Sequence, residues 1–263
     1  MSVLLGNKIA VIYGAGGAVG GAVARRFAAD GATVFLAGRT LDSLETVAAD
    51  IRAAGGNAAT AQVDALDRQS IERHAGEVIA ATGRIDISFN AIGLGDAQGA
   101  PLVEMHEERF ALPIVTAMRT QFLTATVTAR HMARNRAGVV LAITAQVARK
   151  PYPDIGGFGV ACAAIEAFCR QLAMEVGPHG IRVVCLRSAG SPDAPGVDAA
   201  WRMLAQNAGV SRQEFEDGVA DRTLLKRLPR LADVANAAAL MASDRAGAMT
   251  AAIANVTCGE IID

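Results

Sequence analysis

The sequence predicts an α/β fold, a single domain with a doubly wound parallel sheet of about seven strands and helices on both faces. Three observations predict it. Apolar runs alternate with amphipathic stretches from end to end, as βα repeats require. A glycine-rich turn lies where the first apolar run gives way to the first amphipathic stretch. Finally, 52% of the 263 residues are hydrophobic and only 4% aromatic, a mix that suits helices lying close on strands buried on both faces.

The elements follow in order. A strand over 8–13 leads into a helix over 18–30, stopped by Gly31. A second strand (33–37) precedes a helix over 41–54, which ends at Gly55-Gly56. A third strand (58–63), a helix (70–81) closed by Thr82-Gly83 and a fourth strand (85–90) come next. These glycines stop helices because they take the left-handed backbone that a helix end needs. A loop holding Gly93, Gly95, Gly99 and Pro101 precedes two helices, 102–110 and 113–134, the second opening on Pro113. A fifth strand (138–144) leads through Lys150-Pro151-Tyr152-Pro153 to a helix over 159–176, stopped by Gly177-Pro178. A sixth strand (181–186), a small-residue loop (190–196), helical segments around Trp201 and over 231–243, and a strand over 252–256 complete the chain. Strict alternation demands parallel strands and right-handed crossovers. No linker or repeat divides the chain, so residues 1–263 are read as one domain.

Composition narrows the function. A net charge of −1 gives no field for nucleic acid or an anionic membrane. No apolar run reads as long enough to span a bilayer. The first 13 residues hold Lys8 and run straight into the glycine turn, unlike a signal peptide. The chain is therefore expected in the cytoplasm. Cys162, Cys169, Cys185 and Cys258 form no CxxC pair and no metal spacing with His, so free thiols and no metal are expected.

The turn reads Tyr13-Gly14-Ala15-Gly16-Gly17-Ala18-Val19-Gly20-Gly21. Between a strand and a helix, such glycines let backbone N–H groups approach a pyrophosphate at the helix's positive end. Gly14, Ala18 and Gly20 fit a GxxxGxG spacing with Ala in the middle place. The contacts expected here come from Gly14, Gly16, Gly17, Val19 and Gly20. This is the dinucleotide site of a Rossmann-type sheet. At the end of strand two, where an acid would bind a ribose hydroxyl, the chain has Gly38-Arg39. An acid would repel a 2′-phosphate, whereas Arg39 can clasp it with charge-assisted hydrogen bonds. NADP is therefore expected over NAD. Asp64 either accepts from an adenine amino group or caps the next helix.

These features extend to a resemblance over nearly the whole chain. The segment ending Asn90-Ala91-Ile92-Gly93, the pair Asp64-Ala65, the run Gly177-Pro178-His179-Gly180-Ile181 and the tail Arg227-Leu228-Pro229-Arg230 resemble the short-chain dehydrogenase/reductase family. The resemblance implies that Asn90, Ala91 and Ile92 also line the cofactor site. It implies a homo-oligomer, a dimer or tetramer, through the two long helices flanking strand five. It also implies a Ser, Tyr, Lys and Asn that handle the proton of a carbonyl–alcohol reaction. Ala145, Phe158, Cys162 and Ala117 stand at those four positions. Phe158 has no ionisable proton, Ala145 cannot bind an oxyanion, and a thiol at 162 carries no permanent charge.

Two substitutes present themselves. Tyr152, beside Lys150, can act as an acid or simply stand on an exposed loop. Arg187, at the end of strand six, can bind a substrate carboxylate or phosphate or pair with Asp193. Cys162 as a nucleophile lacks a nearby base and reads as buried filler. The four histidines read as surface or structural residues. Two functions follow. One is an NADP-dependent reductase of an activated C=C or carbonyl small molecule. The other is an inactive relative that keeps the cofactor for sensing, stability or hetero-oligomer assembly.

Overall fold

The structure, a computed structural model, describes residues 3–263. Seven parallel strands form one sheet: β1 (Ile9–Tyr13), β2 (Thr33–Gly38), β3 (Asn57–Gln62), β4 (Ile87–Asn90), β5 (Gly138–Ala145), β6 (Ile181–Ser188) and β7 (Ala252–Val256). Their order across the sheet is β3-β2-β1-β4-β5-β6-β7. The chain winds outward from β1 in one direction and returns to place β4 on its other side. That reversal opens a crevice beyond the carboxyl ends of β1 and β4, where dinucleotides bind in such sheets.

Alternation along each strand assigns side chains to two layers. Ala10 and Ile12 of β1 join Phe27 of α1 (Ala18–Ala29), Leu44 and Ile51 of α2 (Leu41–Ala53), and Ala238 of α8 (Leu231–Ala242). Val11 and Tyr13 face the other way. They meet Ile71 and Val78 of α3 (Arg68–Thr82), Leu123 and Met132 of α4 (Glu107–Asn135), and Ile165 and Leu172 of α5 (Gly157–Val176). A small third cluster under α6 (Pro195–Asn207) and α7 (Arg212–Ala220) holds Ala189, Trp201, Val219 and Leu228.

Three expectations need correction. The helices expected over 102–110 and 113–134 are a short 3-10 turn, Leu102–Glu104, and one long helix, α4, with Pro113 inside it. Pro113 removes one backbone bond near the helix start, but its ring is buried beside Gly157 of α5, and that packing outweighs the loss. Strand six runs on to Ser188, which draws Arg187 into the sheet. Finally, one stretch, Gly157–His179, is long and apolar enough to cross a bilayer. It is instead a core helix, packed on α4, β5 and β6.

Gly157 sets the distance between α4 and α5, because a Cβ there would collide with the Phe110 carbonyl oxygen. Gly157→Ala is expected to cost about 1–3 kcal/mol through overpacking. Gly76→Ala, on the exposed face of α3 with nothing near its added Cβ, is expected to stabilise by about 0.5–1 kcal/mol. Urea unfolding of the two variants checks both signs.

Candidate cofactor and active site

The turn after β1 is shaped by two close approaches. Gly14 has φ +77°, donates its N–H to the Ala37 carbonyl at 2.8 Å, and would place a Cβ 2.7 Å from the Ala91 oxygen. A Cβ on Gly20 would collide with the Gly14 carbonyl. Gly17 is the N-cap of α1, and its N–H closes the turn onto Gly14 O at 3.0 Å. Among the described residues, the N–H groups of Gly16, Ala18, Val19 and Gly20 donate to no protein acceptor. Four donors thus gather where the positive end of the helix dipole lies, the arrangement a diphosphate needs. Val19 takes part through its backbone only, since its side chain packs into the core.

Neighbouring strand ends extend this surface. Arg39 follows β2, is exposed, and forms no ion pair among the described residues. Its carbonyl accepts from Gln62 Nε2 at 2.9 Å. Asp64 is exposed, and its Oδ1 accepts from the Leu66 N–H at 2.9 Å. The cap of α3 is Asp67, whose Oδ1 accepts from Gln69 N–H at 3.0 Å. The helix-cap reading of Asp64 is therefore set aside, and among the described residues no protein donor reaches its second carboxylate oxygen. Ala65 is buried beside it. Asn90 is buried at the end of β4, donating to Thr124 Oγ1 at 3.0 Å and accepting from Ile92 N–H at 3.1 Å. Ala91 N–H donates to Tyr13 O at 3.0 Å. These bonds hold Ala91 and Ile92 against the glycine turn.

The other end of the crevice is apolar. Ala117 of α4 and Cys162 of α5 are fully buried, while Ala145 and Phe158 are half-buried. Burial pushes the Cys162 thiol up to about 12, against a hydrogen bond with the Ala145 backbone that lowers it. The Cys162–Ala145 contact brings two of the four aligned positions together. No basic side chain stands among those four residues.

Both proposed substitutes are engaged elsewhere. Arg187 is 2% exposed at its side chain and grips Glu166 of α5 through Nε and Nη2, at 2.7 and 2.8 Å. Its Nη1 reaches Asp263 at 2.7 Å. Asp193 instead accepts from the Leu231 N–H at the start of α8. Thr144 donates to the same Glu166 at 3.2 Å. Tyr152 is not on a free loop: its hydroxyl donates to Glu260, which also takes Lys150 Nζ at 2.9 Å. Burial and then Glu260 raise the Tyr152 hydroxyl well above its ordinary range, which leaves it a poor acid partner. His74 is buried edge-on to Tyr13, with centroids 6.4 Å apart, and burial lowers its pKa.

Glu166 is the partner that sequence reasoning missed. The signal was a carboxylate four residues after Cys162 on the apolar stripe of α5, where a charge demands a counter-charge.

Comparison with known proteins agrees with this architecture. A family model described as enoyl-(acyl carrier protein) reductase matches residues 14–260. The chain is 30% identical over 246 residues to an uncharacterized oxidoreductase, YxbG, of Bacillus subtilis (strain 168), spanning 94% of this chain and 88% of that one. It is 28% identical over 257 residues to the 7alpha-hydroxysteroid dehydrogenase of Escherichia coli (strain K12), spanning 98% and 95%. A solved 7alpha-hydroxysteroid dehydrogenase complexed with NADH and 7-oxo glycochenodeoxycholic acid superposes with a TM-score of 0.85, at 25% identity, over 100% of this chain and 97% of that one.

A thiol held near 12 stays protonated across the neutral range. Cys162 in the folded chain should therefore react with iodoacetamide at pH 8 about a thousandfold more slowly than in the urea-unfolded chain. Peptide-resolved mass spectrometry measures this. Equal labelling in the two states would mean the thiol is neither buried nor protonated.

Proposed function

The chain belongs to the short-chain dehydrogenase/reductase family, and from that premise we propose that it is an NADP(H)-binding oxidoreductase whose hydride transfer proceeds without the family's usual proton machinery. One observation carries the reading: among the described residues four N–H groups at the start of α1 have no protein acceptor, and the exposed Arg39, which forms no ion pair there, follows β2, the strand paired with β1. Gly14 and Gly20 leave a cradle that side chains would fill, so the residues present fit a dinucleotide. The 2′-phosphate would rest on Arg39, the diphosphate on Gly16–Gly20 backbone, and the adenine beside Asp64 and Ala65. When bound, the reduced dinucleotide supplies a hydride.

What this chain's own residues do at the reacting end is bind and exclude. The half-buried Phe158 and Ala145 offer an apolar wall that suits the face of a nicotinamide ring, and the fully buried Ala117 and Cys162 add no charged group to it. They offer no acid at position 158, so an acceptor that gives its oxygen a large negative charge is poorly served. An activated C=C bond suits such a wall better than an unactivated carbonyl, because the hydride lands on carbon and water can bring the proton. The joint replacement of all four polar residues favours a second reading, an inactive relative that binds the dinucleotide for sensing, stability or hetero-oligomer assembly.

The single domain over 1–263 is also proposed to form a homodimer or homotetramer. Leu112, Val115 and Phe122 of α4 and Val160 and Met174 of α5 are large apolar side chains left exposed, and α4 and α5 pack on each other. The free thiols of Cys162, Cys169 and Cys185 suit a reducing cytoplasm.

Calorimetric titration tests the cofactor. Arg39→Ala should weaken NADPH about tenfold or more and leave NADH unchanged, since charge-assisted bonds to the extra phosphate contribute about 1.5–3 kcal/mol. Equal loss for both would remove the case for NADP. NADPH oxidation against a panel of enones and carbonyls separates the two functional readings, because binding without turnover leaves only the second. Turnover of simple carbonyls by the combined Ala145→Ser, Phe158→Tyr and Cys162→Lys variant would show that the scaffold is sound and only the proton machinery was lost.

A further inference from the structure

A cavity opens where the helical layer stops short of the edge of the sheet. α5 packs on β5 and β6, and β7 is the edge strand beyond them. Beside α5, against Ile253 of β7, lies a cavity of about 360 Å³. Ala163, Glu166 and Arg170 line it from α5, at a spacing of three and four residues that sets them on one helix face. Ala148 and Arg149 line it from the turn after β5, where the Arg149 N–H donates to Gln146 O at 3.0 Å. Arg187 of β6 and Asp263 complete the lining. Residues 14–20, Arg39 and Asp64 take no part in it, so it is separate from the dinucleotide cradle.

The charges around this cavity do not balance. Its lining holds three guanidinium groups and two carboxylates. Both carboxylates serve a single guanidinium: Glu166 accepts from Arg187 Nε and Nη2 at 2.7 and 2.8 Å, and Asp263 accepts from Arg187 Nη1 at 2.7 Å. Arg149 and Arg170 are exposed, and among the described residues neither side chain has an ion pair or a hydrogen bond. Guanidinium groups brought to one cavity from three elements repel one another, and an anion between them removes that cost. All three cations are Arg, whose planar fork matches a phosphate or carboxylate with two parallel bonds.

Charge and size narrow the ligand. Two free guanidinium groups favour a double negative charge on one head group. A phosphate monoester comes close to that at pH 7, and a lone carboxylate does not. Ala148, Ala163 and Ile253 add apolar surface for a carbon skeleton. The volume lies at the lower end of small-molecule sites, which suits a compact body. We propose that this cavity is a second ligand site, which takes the phosphate monoester of a small organic compound. Arg149 and Arg170 hold the phosphoryl oxygens, and the carbon skeleton lies against Ala163 and Ile253. Asp263, whose side chain is 44% exposed, is the competitor: it occupies Arg187 Nη1 and repels the arriving dianion.

The test is a calorimetric titration of the full chain with phenyl phosphate and, separately, inorganic phosphate. Each is run with and without saturating NADP⁺, so that binding at the glycine turn is told apart. One phenyl phosphate per chain should bind in both conditions, about fivefold tighter or more than inorganic phosphate, because the ring buries apolar area. Arg149→Ala combined with Arg170→Ala should weaken phenyl phosphate about tenfold or more, the loss of charge-assisted bonds, and leave NADP⁺ affinity unchanged. Asp263→Asn should tighten phenyl phosphate about twofold or more, the scale of a partly exposed charge, a gain that damage to the fold cannot imitate. The proposal is overturned by no binding of phenyl phosphate, by binding that NADP⁺ abolishes, or by affinity that survives the double Arg variant. Inorganic phosphate binding as tightly as phenyl phosphate overturns the organic ligand, and unchanged affinity in Asp263→Asn overturns the competitor role. Absence of any NADP⁺ heat overturns the cofactor reading and leaves this site to be judged by the double variant alone.

Discussion

The approach of three backbone segments at the end of β1 is the constraint on which the rest of the structure depends. The Gly14 carbonyl lies where a Cβ on Gly20 would sit, and the Ala91 carbonyl lies against Gly14. Only hydrogen fits at both places, so α1 can start directly at the sheet and leave its first N–H groups at the crevice. The same contact ties in β4, since Ala91 N–H donates to Tyr13 O and Asn90 binds Thr124 of α4. From α4 the register passes to α5 through the contact of Phe110 and Pro113 with Gly157. One line of contacts thus runs from the glycine turn after β1 to the helix that carries Phe158.

Charge placement follows a second logic. Arg187 lies one residue before the end of β6, near the strand ends that face the crevice in sheets of this kind, yet it is turned into a buried pair with Glu166. A buried pair is only worth its desolvation if both partners are well satisfied. Here the guanidinium makes two bonds to Glu166 and a third to Asp263, and Thr144 adds a hydroxyl to the carboxylate. The Lys150–Tyr152–Glu260 cluster likewise binds its cation close to home. The consequence for the crevice is subtraction: two cations that sequence position makes available are spent on holding β6, α5 and the C-terminal segment together.

The parts legible in the sequence are those set by local pattern. Continuous apolar runs bounded by glycine identified the strands, and Gly31, Gly55 and Gly83 do take positive φ at the helix ends. The turn at 14–20 was legible because its glycines fall between a strand and a helix. The misreadings have tertiary causes. Pro113 looked like a helix start, because nothing local shows that Gly157 would make room for its ring. Arg187 was left between a substrate anion and Asp193, because Glu166 lies 21 residues away on another element and meets it only across the α5–β6 packing. Asp64 stayed ambiguous until Asp67 was seen to hold the helix cap.

The residues at the four positions marked by the family resemblance make one physical statement together. A positioned acid contributes about 10²–10⁴ in rate to a proton-coupled hydride transfer, and its loss cannot be absorbed by an apolar wall. The wall does not help a reaction that builds negative charge, because low polarity penalises that charge further. An activated C=C bond asks less of it, since the hydride lands on carbon and water can bring the proton. By the family resemblance, Cys162, Phe158 and Ala145 stand where Lys, Tyr and Ser are expected, and the three differences have one sign. Each lacks a group that would favour an anion, and that shared lack is the physical ground for proposing something other than simple carbonyl reduction.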